Sequence, residues 1–105
     1  MIRNYVIVCN EHANAKKTGE LLFWGFHTEN NEERSFGGYT TDIDKCEKYT
    51  RQELEEWRGD NMERIPFYDE IKEKGLAGFY KHEDVMISQE DLYALGFRKK
   101  SVMLL

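Results

Sequence analysis

Residues 37–57 read GGYTTDIDKCEKYTRQELEEW and carry the densest set of structural signals in this chain of 105 residues. The glycines at 37–38 predict the end of a strand and a turn. Thr41 then predicts the start of a short helical segment, Asp42–Lys48, because its hydroxyl can cap the segment and acidic residues in the first turn suit the helix dipole. No nucleophile motif, phosphate loop or metal-binding pattern interrupts the stretch.

A second helix is predicted to follow within the same stretch. Thr50 and Glu53 have the spacing of a capping box, in which each side chain accepts a hydrogen bond from the other residue's backbone N–H. Leu54 and Trp57 lie three apart and share one helix face, and Gly59 predicts the end of the helix. The stretch therefore predicts a small domain organised around a hairpin and a helix.

Upstream of this stretch, the sequence predicts the hairpin. Residues 4–9 form an apolar run rich in β-branched side chains, which favours a strand buried on both faces and central in its sheet. Residues 11–19 predict a loop, and Glu20–His27 predict a second strand with a bulge or close backbone approach at Gly25. Residues 35–40 predict a short third strand.

Downstream, Pro66 suits the first turn of a helix that we expect to run to Lys74, with Gly75 as its C-terminal signal. Residues 78–80 (GFY) and 85–87 (VMI) carry weak strand signals.

Ser88 and Asp91 predict the start of a last helix, which ends at Gly96. The apolar terminus, residues 101–105, predicts a strand or a segment held against a partner. These elements predict a single domain, residues 1–105, of the α+β class: a small antiparallel sheet led by an N-terminal hairpin, with three or four short helices packed mainly on one face.

Composition and charge restrict the classes of partner. A charged fraction of 33% and a mean hydropathy of -0.75 predict a soluble protein, and no apolar run approaches the roughly 20 residues that span a bilayer. We expect a cytoplasmic protein without membrane contact. The net charge is -5, and residues 53–91 carry twelve acidic against five basic side chains. Because affinity for nucleic acid depends on neutralising phosphates, direct nucleic-acid binding is not expected.

Aromatic residues are the strongest candidates for a binding site. The chain places Phe23, Trp24, Phe26, Phe36, Tyr39 and Trp57 around the predicted hairpin and first helices. In a regular strand, Phe23 points to one face and the Trp24/Phe26 pair to the other, so either both faces are covered or one is an exposed aromatic surface. Because Trp and Tyr are favoured as interface anchors, the predicted binding residues are Trp24, Phe26, Tyr39 and Trp57.

The sequence gives only weak indications of a metal site or a reactive cysteine. His12, His27 and His82 are too scattered for a structural zinc site, so neither a metal nor a cofactor is expected. Cys9 and Cys46 predict buried reduced thiols. We expect the carboxylates of the helices to face solvent; these are Glu53, Glu55, Glu56, Asp69, Glu70 and Glu73.

The segment G-Y-T-T-D-I-x-K-x-x-x-Y-T-x-x-E-L, together with the two strands before it, resembles small proteins of phages and prophages over about residues 4–58. In such proteins Tyr39–Thr41 leads out of the hairpin and Asp42–Lys45 makes a tight turn. This chain has a longer loop at 28–36, and it has Cys46 where an alanine is typical. The resemblance implies a mobile-element context and assigns no functional residue.

Three functions are consistent with these features. The first is a non-enzymatic protein-binding module, such as a phage accessory or inhibitor protein, whose acidic helix surface could compete for a basic partner. The second is a small enzyme or ligand-binding domain with a pocket beside the hairpin, near His27, Tyr39 or Cys46. The third is a self-assembling subunit, with a homodimer formed through the Glu20–His27 strand or the C-terminal strand.

Overall fold

The computed structural model of the protein describes residues 2–11 and 15–97. Four strands and four α-helices follow one another in this part of the chain, with two short 3₁₀ turns before the third helix. In chain order they are β1 (Tyr5–Cys9), α1 (Ala15–Thr18), β2 (Leu22–Trp24), β3 (Tyr39–Thr40), α2 (Arg51–Asn61), the 3₁₀ turns Tyr68–Glu70 and Lys72–Lys74, α3 (Gly75–Lys81), β4 (Asp84–Ser88) and α4 (Gln89–Ala94).

The strands form one antiparallel sheet in the order β3-β2-β1-β4. β1 lies between β2 and β4, and its Val8 is opposite both Phe23 and Val85. This confirms the central position predicted from its apolar run. A strand that is flanked by two other strands and covered on both faces carries apolar side chains on both faces. The α+β class and the leading hairpin are confirmed as well.

One face of the sheet packs against α3 and α4. Val6 and Val8 of β1 point to this face together with Phe23 of β2, and Phe79 of α3 and Leu92 of α4 cover them. All five side chains are buried. Alternation along the strand sends the intervening residues to the opposite face.

That opposite face packs against α2 and the segment after it. Ile7 of β1 and Met86 of β4 lie beneath Leu54 of α2, together with Tyr49 and Phe67. Each of these five side chains is fully buried. The sheet is therefore covered on both faces, with two of the three longer helices on one side and α2 on the other.

The prediction of a helix over Asp42–Lys48 was wrong. The Asp42 side chain accepts a hydrogen bond from the Asp44 backbone N–H at 2.9 Å, and the Asp42 carbonyl accepts one from Lys45 at 3.0 Å, so the segment closes as a tight turn. Short polar side chains compete in this way with helical hydrogen bonds. The chain then extends, and Tyr49 pairs with Tyr5 as an isolated β-bridge.

The capping box at the start of α2 is confirmed. The Thr50 hydroxyl accepts from the Glu53 backbone N–H at 3.0 Å, and the Glu53 carboxylate accepts from the Thr50 backbone N–H at 2.8 Å. The predicted end at Gly59 was wrong, since α2 runs to Asn61 and ends where Met62 adopts the left-handed conformation.

The helix predicted from Pro66 to Lys74 was also wrong. The Glu70 side chain accepts from the Phe67 backbone N–H at 2.8 Å and tightens the segment into 3₁₀ turns. Gly75 begins α3 instead of ending a helix, and residues 78–80 lie within α3 instead of a strand. The strand at 85–87 is confirmed as part of β4.

The last helix is confirmed, because the Ser88 hydroxyl accepts from the Asp91 backbone N–H at 3.1 Å. Residues 101–105, for which a strand was predicted, lie outside the described residues.

The second and third strands are shorter than predicted. Only Leu22–Trp24 of the predicted 20–27 strand pairs, because Gly25 has a φ of +78° and turns the chain. A side chain at Gly25 would also place its Cβ 2.5 Å from the Ser35 carbonyl oxygen. The third strand is limited to Tyr39–Thr40, and the predicted 11–19 loop contains the helical turn α1.

Candidate binding surface around Trp24 and Tyr39

The structure brings three of the four predicted binding residues together. Trp24 on β2 is directly opposite Tyr39 on β3, and Trp57 reaches the same place from α2. The ring centroids of Trp24 and Tyr39 are 6.4 Å apart, and those of Trp24 and Trp57 are 5.8 Å apart. Both pairs meet at nearly right angles, 88° and 84°. We call Trp24, Tyr39 and Trp57 the aromatic corner.

Two further rings hold the aromatic corner against the core. Phe36 stacks on Trp57 at 4.7 Å and on Tyr49 at 4.9 Å. Tyr49 is fully buried and its hydroxyl donates to the Ser35 carbonyl at 2.5 Å. Tyr49 was not singled out from the sequence, because it lies at the boundary of a predicted helix. No local signal there indicates the β-bridge that buries it.

The fourth predicted residue, Phe26, lies beside Gly38, the residue that precedes Tyr39. The left-handed turn at Gly25 redirects the chain, so Phe26 does not continue the face of Trp24 as it would in an unbroken strand. Its ring covers the backbone of Gly38, where an added Cβ would lie 2.2 Å from the ring. Phe26 is 54% exposed and Tyr39 is 44% exposed, whereas Trp24 and Trp57 are half-buried. The aromatic set is thus partly core and partly surface.

An acidic residue borders the aromatic corner. The indole Nε1 of Trp24 donates to Asp84 Oδ1 at 3.1 Å, across the central strand β1. Partial burial raises the pKa of the Tyr39 hydroxyl, and the negative potential of Cys9, Asp84 and Glu11 raises it further. The Asp84 and Glu11 carboxylates therefore contribute negative potential at the Tyr39 hydroxyl.

Asp84 also lines a cavity of about 220 Å³ between the start of β4 and the segment that follows α2. The lining residues are Glu63, Arg64, Ile65, Pro66, His82, Glu83 and Asp84. This volume is below the roughly 300–1,000 Å³ of pockets that enclose drug-sized ligands.

The carboxylates expected to form an acidic helix surface are mostly neutralised within the molecule. Arg3 pairs with Glu53 at 2.9 Å, and Arg58 pairs with Glu70 at 2.9 Å. Arg51 pairs with both Glu55, at 3.2 Å, and Asp69, at 2.8 Å. Four of the six named carboxylates are therefore ion-paired, and the net negative charge of this surface is much smaller than the sequence implied.

A buried charge pair, which sequence reasoning missed, fixes the loop beside the surface. Glu47 has no exposed area, and its carboxylate accepts from Arg34 Nη1 at 3.2 Å, from the Ser35 backbone N–H at 2.9 Å and from the Thr28 hydroxyl. Burial alone would raise the pKa of Glu47, but these donors and the backbone N–H of Lys48 lower it overall.

Cys46 and His27, two of the residues considered for a catalytic pocket, differ in exposure. Cys46 is fully buried, and burial raises the pKa of its thiol, which disfavours the thiolate that acts as a nucleophile. His27 is exposed, and neither residue lines the cavity beside Asp84. The prediction that both cysteines are buried and unbridged is confirmed.

Residues 2–11 and 15–97 contain no group of three side chains placed to bind a metal ion. His12 lies outside these ranges, and His82 lines the cavity. Within the same ranges, no helix is both long and apolar enough to cross a membrane.

The predicted assembly through the Glu20–His27 strand conflicts with the sheet order. β2 already pairs with β1 on one side and with β3 on the other, so its backbone groups are occupied. The outer strands of the described sheet are β3 and β4. The chain matches no protein-family model, and comparison with curated proteins and with solved structures finds no significant similarity.

Proposed function

We propose that this protein is a non-enzymatic protein-binding module whose contact surface is formed by Tyr39, Phe26 and the exposed parts of Trp24 and Trp57. The observation that carries the proposal is that exposed aromatic rings lie at the β3 edge of the sheet. Phe26 and Tyr39 expose about half of their surface. The ring of Tyr39 packs at a right angle against Trp24, and the ring of Phe26 covers the backbone of Gly38. Rigid aromatic side chains lose little entropy on binding, which is why they serve as interface anchors.

The position of the surface supports a protein as the partner. β3 lies at the edge of the sheet, and no strand of the described chain lies beyond it. A strand at a sheet edge is where a partner segment can add through backbone hydrogen bonds, with side-chain contacts supplying specificity. A cytoplasmic, phage-type inhibitor or accessory role is the biological context that we propose for such a module.

The test begins with affinity capture from a lysate of the source organism and continues with the purified partner. We expect Tyr39→Ala and Phe26→Ala to weaken the dissociation constant at least about tenfold, since truncated interface anchors typically cost 1–2 kcal/mol or more. Leu76→Ala is the matched control, because Leu76 is 42% exposed but lies on α3, which packs on the opposite face of the sheet.

Thermal unfolding must first show that all three variants are folded. The proposal is wrong if the two aromatic variants bind the partner as tightly as the wild type. It is equally wrong if Leu76→Ala weakens binding by the same factor, because the loss would then not be specific to this surface.

A further inference from the structure

The loop between β2 and β3 is fastened at both of its ends to one buried carboxylate. This loop, residues 28–36, contains neither helix nor strand, and we call it the strap. The Thr28 hydroxyl, near one end, donates to Glu47 Oε2, and the Ser35 backbone N–H, near the other end, donates to the same oxygen at 2.9 Å. The Glu47 carboxylate therefore closes the strap into a ring.

A single guanidinium organises the strap from the inside. Arg34 Nη2 donates to the Glu29 carbonyl at 2.6 Å and to the Glu32 carbonyl at 2.9 Å, while Nη1 of the same side chain donates to Glu47 Oε1 at 3.2 Å. The contacts within the strap and its contact with the carboxylate beneath it thus depend on the same group. They form together and are lost together.

Polar contacts hold most of the strap in place. Residues 28–35 include no apolar side chain, and residues 29–33 are exposed, so Phe36 is the apolar anchor of the strap. Releasing both partners of a buried ion pair costs little net free energy, because water hydrates both charges. Gly37 and Gly38 follow the strap directly; an added Cβ at Gly37 would meet nothing within 4 Å, and Gly38 has a φ of +82°. These glycines can serve as a hinge.

The end of the strap supports the contact surface of the proposed function. Phe36 stacks face to face on Trp57, with an angle of 7° between the ring planes. Ser35 Oγ accepts a hydrogen bond from the Phe26 backbone N–H at 3.2 Å. Two of the four residues of the contact surface are therefore held in part by the last two residues of the strap.

We infer that the strap opens and closes as one unit, with Glu47 as its latch and Gly37–Gly38 as its hinge, and that the contact surface is complete only while the strap is closed. The role of the surface rests on the proposed function, whereas the opening is a property of the protein alone. A partner that binds the complete surface favours the closed strap.

Native-state hydrogen exchange of the intact protein, followed by NMR, tests the opening. The reporters are the backbone N–H groups of Phe26, Thr28 and Ser35, each of which donates to the strap or to its latch. The reference is the N–H of Val8, which is fully buried in β1. We expect the three reporters to have protection factors within about threefold of one another and at least about tenfold below that of Val8.

Urea distinguishes opening of the strap from global unfolding. Opening exposes little surface, so urea should barely lower the protection of the three reporters, whereas the protection of Val8 should fall with the slope of global unfolding. These wild-type measurements decide the question of opening even if a variant of the latch fails to fold.

Glu47→Gln tests the latch, because the neutral amide removes the opposite charge from Arg34 and accepts weaker hydrogen bonds. We expect the protection of the three reporters to fall at least about tenfold relative to that of Val8. Glu70→Gln is the matched control. Glu70 also accepts from an arginine, at 2.9 Å, and from a backbone N–H, at 2.8 Å, but it lies in the turn after α2, so its replacement should leave the ratio unchanged.

Reporters with the protection and the urea slope of Val8 would overturn the inference, since the strap would then open only when the whole protein unfolds. Unrelated protection factors at the three reporters, no protection at Ser35, or equal effects of Glu47→Gln and Glu70→Gln would overturn it as well. Failure of the proposed function is a separate result. A captured partner that binds Tyr39→Ala and Phe26→Ala as tightly as the wild type would remove the contact surface and leave the opening of the strap in place.

Discussion

Glu47 is the residue whose environment departs most from what its type suggests. Glutamate is almost never fully buried unless its charge is compensated. Here Arg34, itself with only 7% of its side chain exposed, supplies the opposite charge, and backbone N–H groups satisfy the remaining acceptor positions. The pair joins the long loop at 28–36 to the segment that leads into α2.

Removing one partner of this pair should therefore be costly. We expect Glu47→Ala to lower the free energy of unfolding by about 3 kcal/mol, because it leaves the buried Arg34 guanidinium with only the more distant Glu53 carboxylate, at 4.0 Å, as its counter-charge. Glu47→Gln keeps the shape and part of the hydrogen bonding, so its loss should be smaller. Urea unfolding measures both values.

Glu56→Gln is the control for that series, because Glu56 is exposed on α2 and surface substitutions usually change stability by less than about 0.5 kcal/mol. A loss in Glu47→Ala no larger than that of the control would show that the buried pair contributes nothing to stability.

At the scale of single elements, local sequence signals predicted the starts of some helices correctly and the ends of several elements wrongly. The capping residues Thr50 and Ser88 were predicted because a cap is a contact between residues three apart. The end of α2 was not predicted correctly, since Gly59 is only a weak helix breaker and the helix continues two residues beyond it.

This continuation makes Gly59 a test of the helix. An added Cβ at Gly59 would meet nothing within 4 Å, and its backbone is helical. We expect Gly59→Ala to stabilise the protein by about 0.5–1 kcal/mol, because alanine loses less backbone entropy than glycine on folding. The midpoint of urea unfolding measures the gain.

Gly25→Ala should have the opposite effect on stability in the same assay. Its φ of +78° and the 2.8 Å approach to Glu47 Cβ leave no room for a side chain, so this variant should be destabilised. Destabilisation by Gly59→Ala would mean that α2 ends near residue 59, as the sequence suggested.

At the scale of the whole molecule, the acidic side chains differ in whether an arginine pairs with them, and this difference does not follow from their position in the chain. Arginines neutralise the carboxylates around α2, whereas those at the ends of β1 and β4 are left without such pairs in the described structure. Among the described residues, the acidic side chains around α2 are therefore ion-paired with arginines, whereas those next to the aromatic corner are not.

The paired carboxylates should make stability depend on pH. The pKa of Glu70 is lowered mainly by its hydrogen bonds from Arg58; that of Glu53 is lowered by Arg3 despite partial burial, and that of Glu47 is lowered by its buried donors. Groups with lowered folded-state pKa values stabilise the protein above their ordinary value of 4.5 and lose that contribution as pH falls through the folded-state value. We expect the melting temperature to fall steeply below about pH 4.5.

Thermal unfolding between about pH 7 and pH 3 measures this dependence. In Glu47→Gln the curve should be flatter, because one of the three titrating groups is absent. A melting temperature that stays constant down to pH 3 would contradict the assignment of these pairs as stabilising.

The sequence alone determined the class of the fold, the central position of β1 and the caps of α2 and α4, because each depends on contacts within a few residues or on the buried character of one continuous run. Only the tertiary structure decided that Trp24, Tyr39 and Trp57 meet, that Glu47 is buried against Arg34 and that Asp84 lies beside the aromatic corner. These contacts join residues up to 60 positions apart, across a turn that Asp42 forms in place of the helix its neighbours favoured. No local pattern records such pairings, since their free energy comes from packing and charge compensation that exist only once the sheet has assembled.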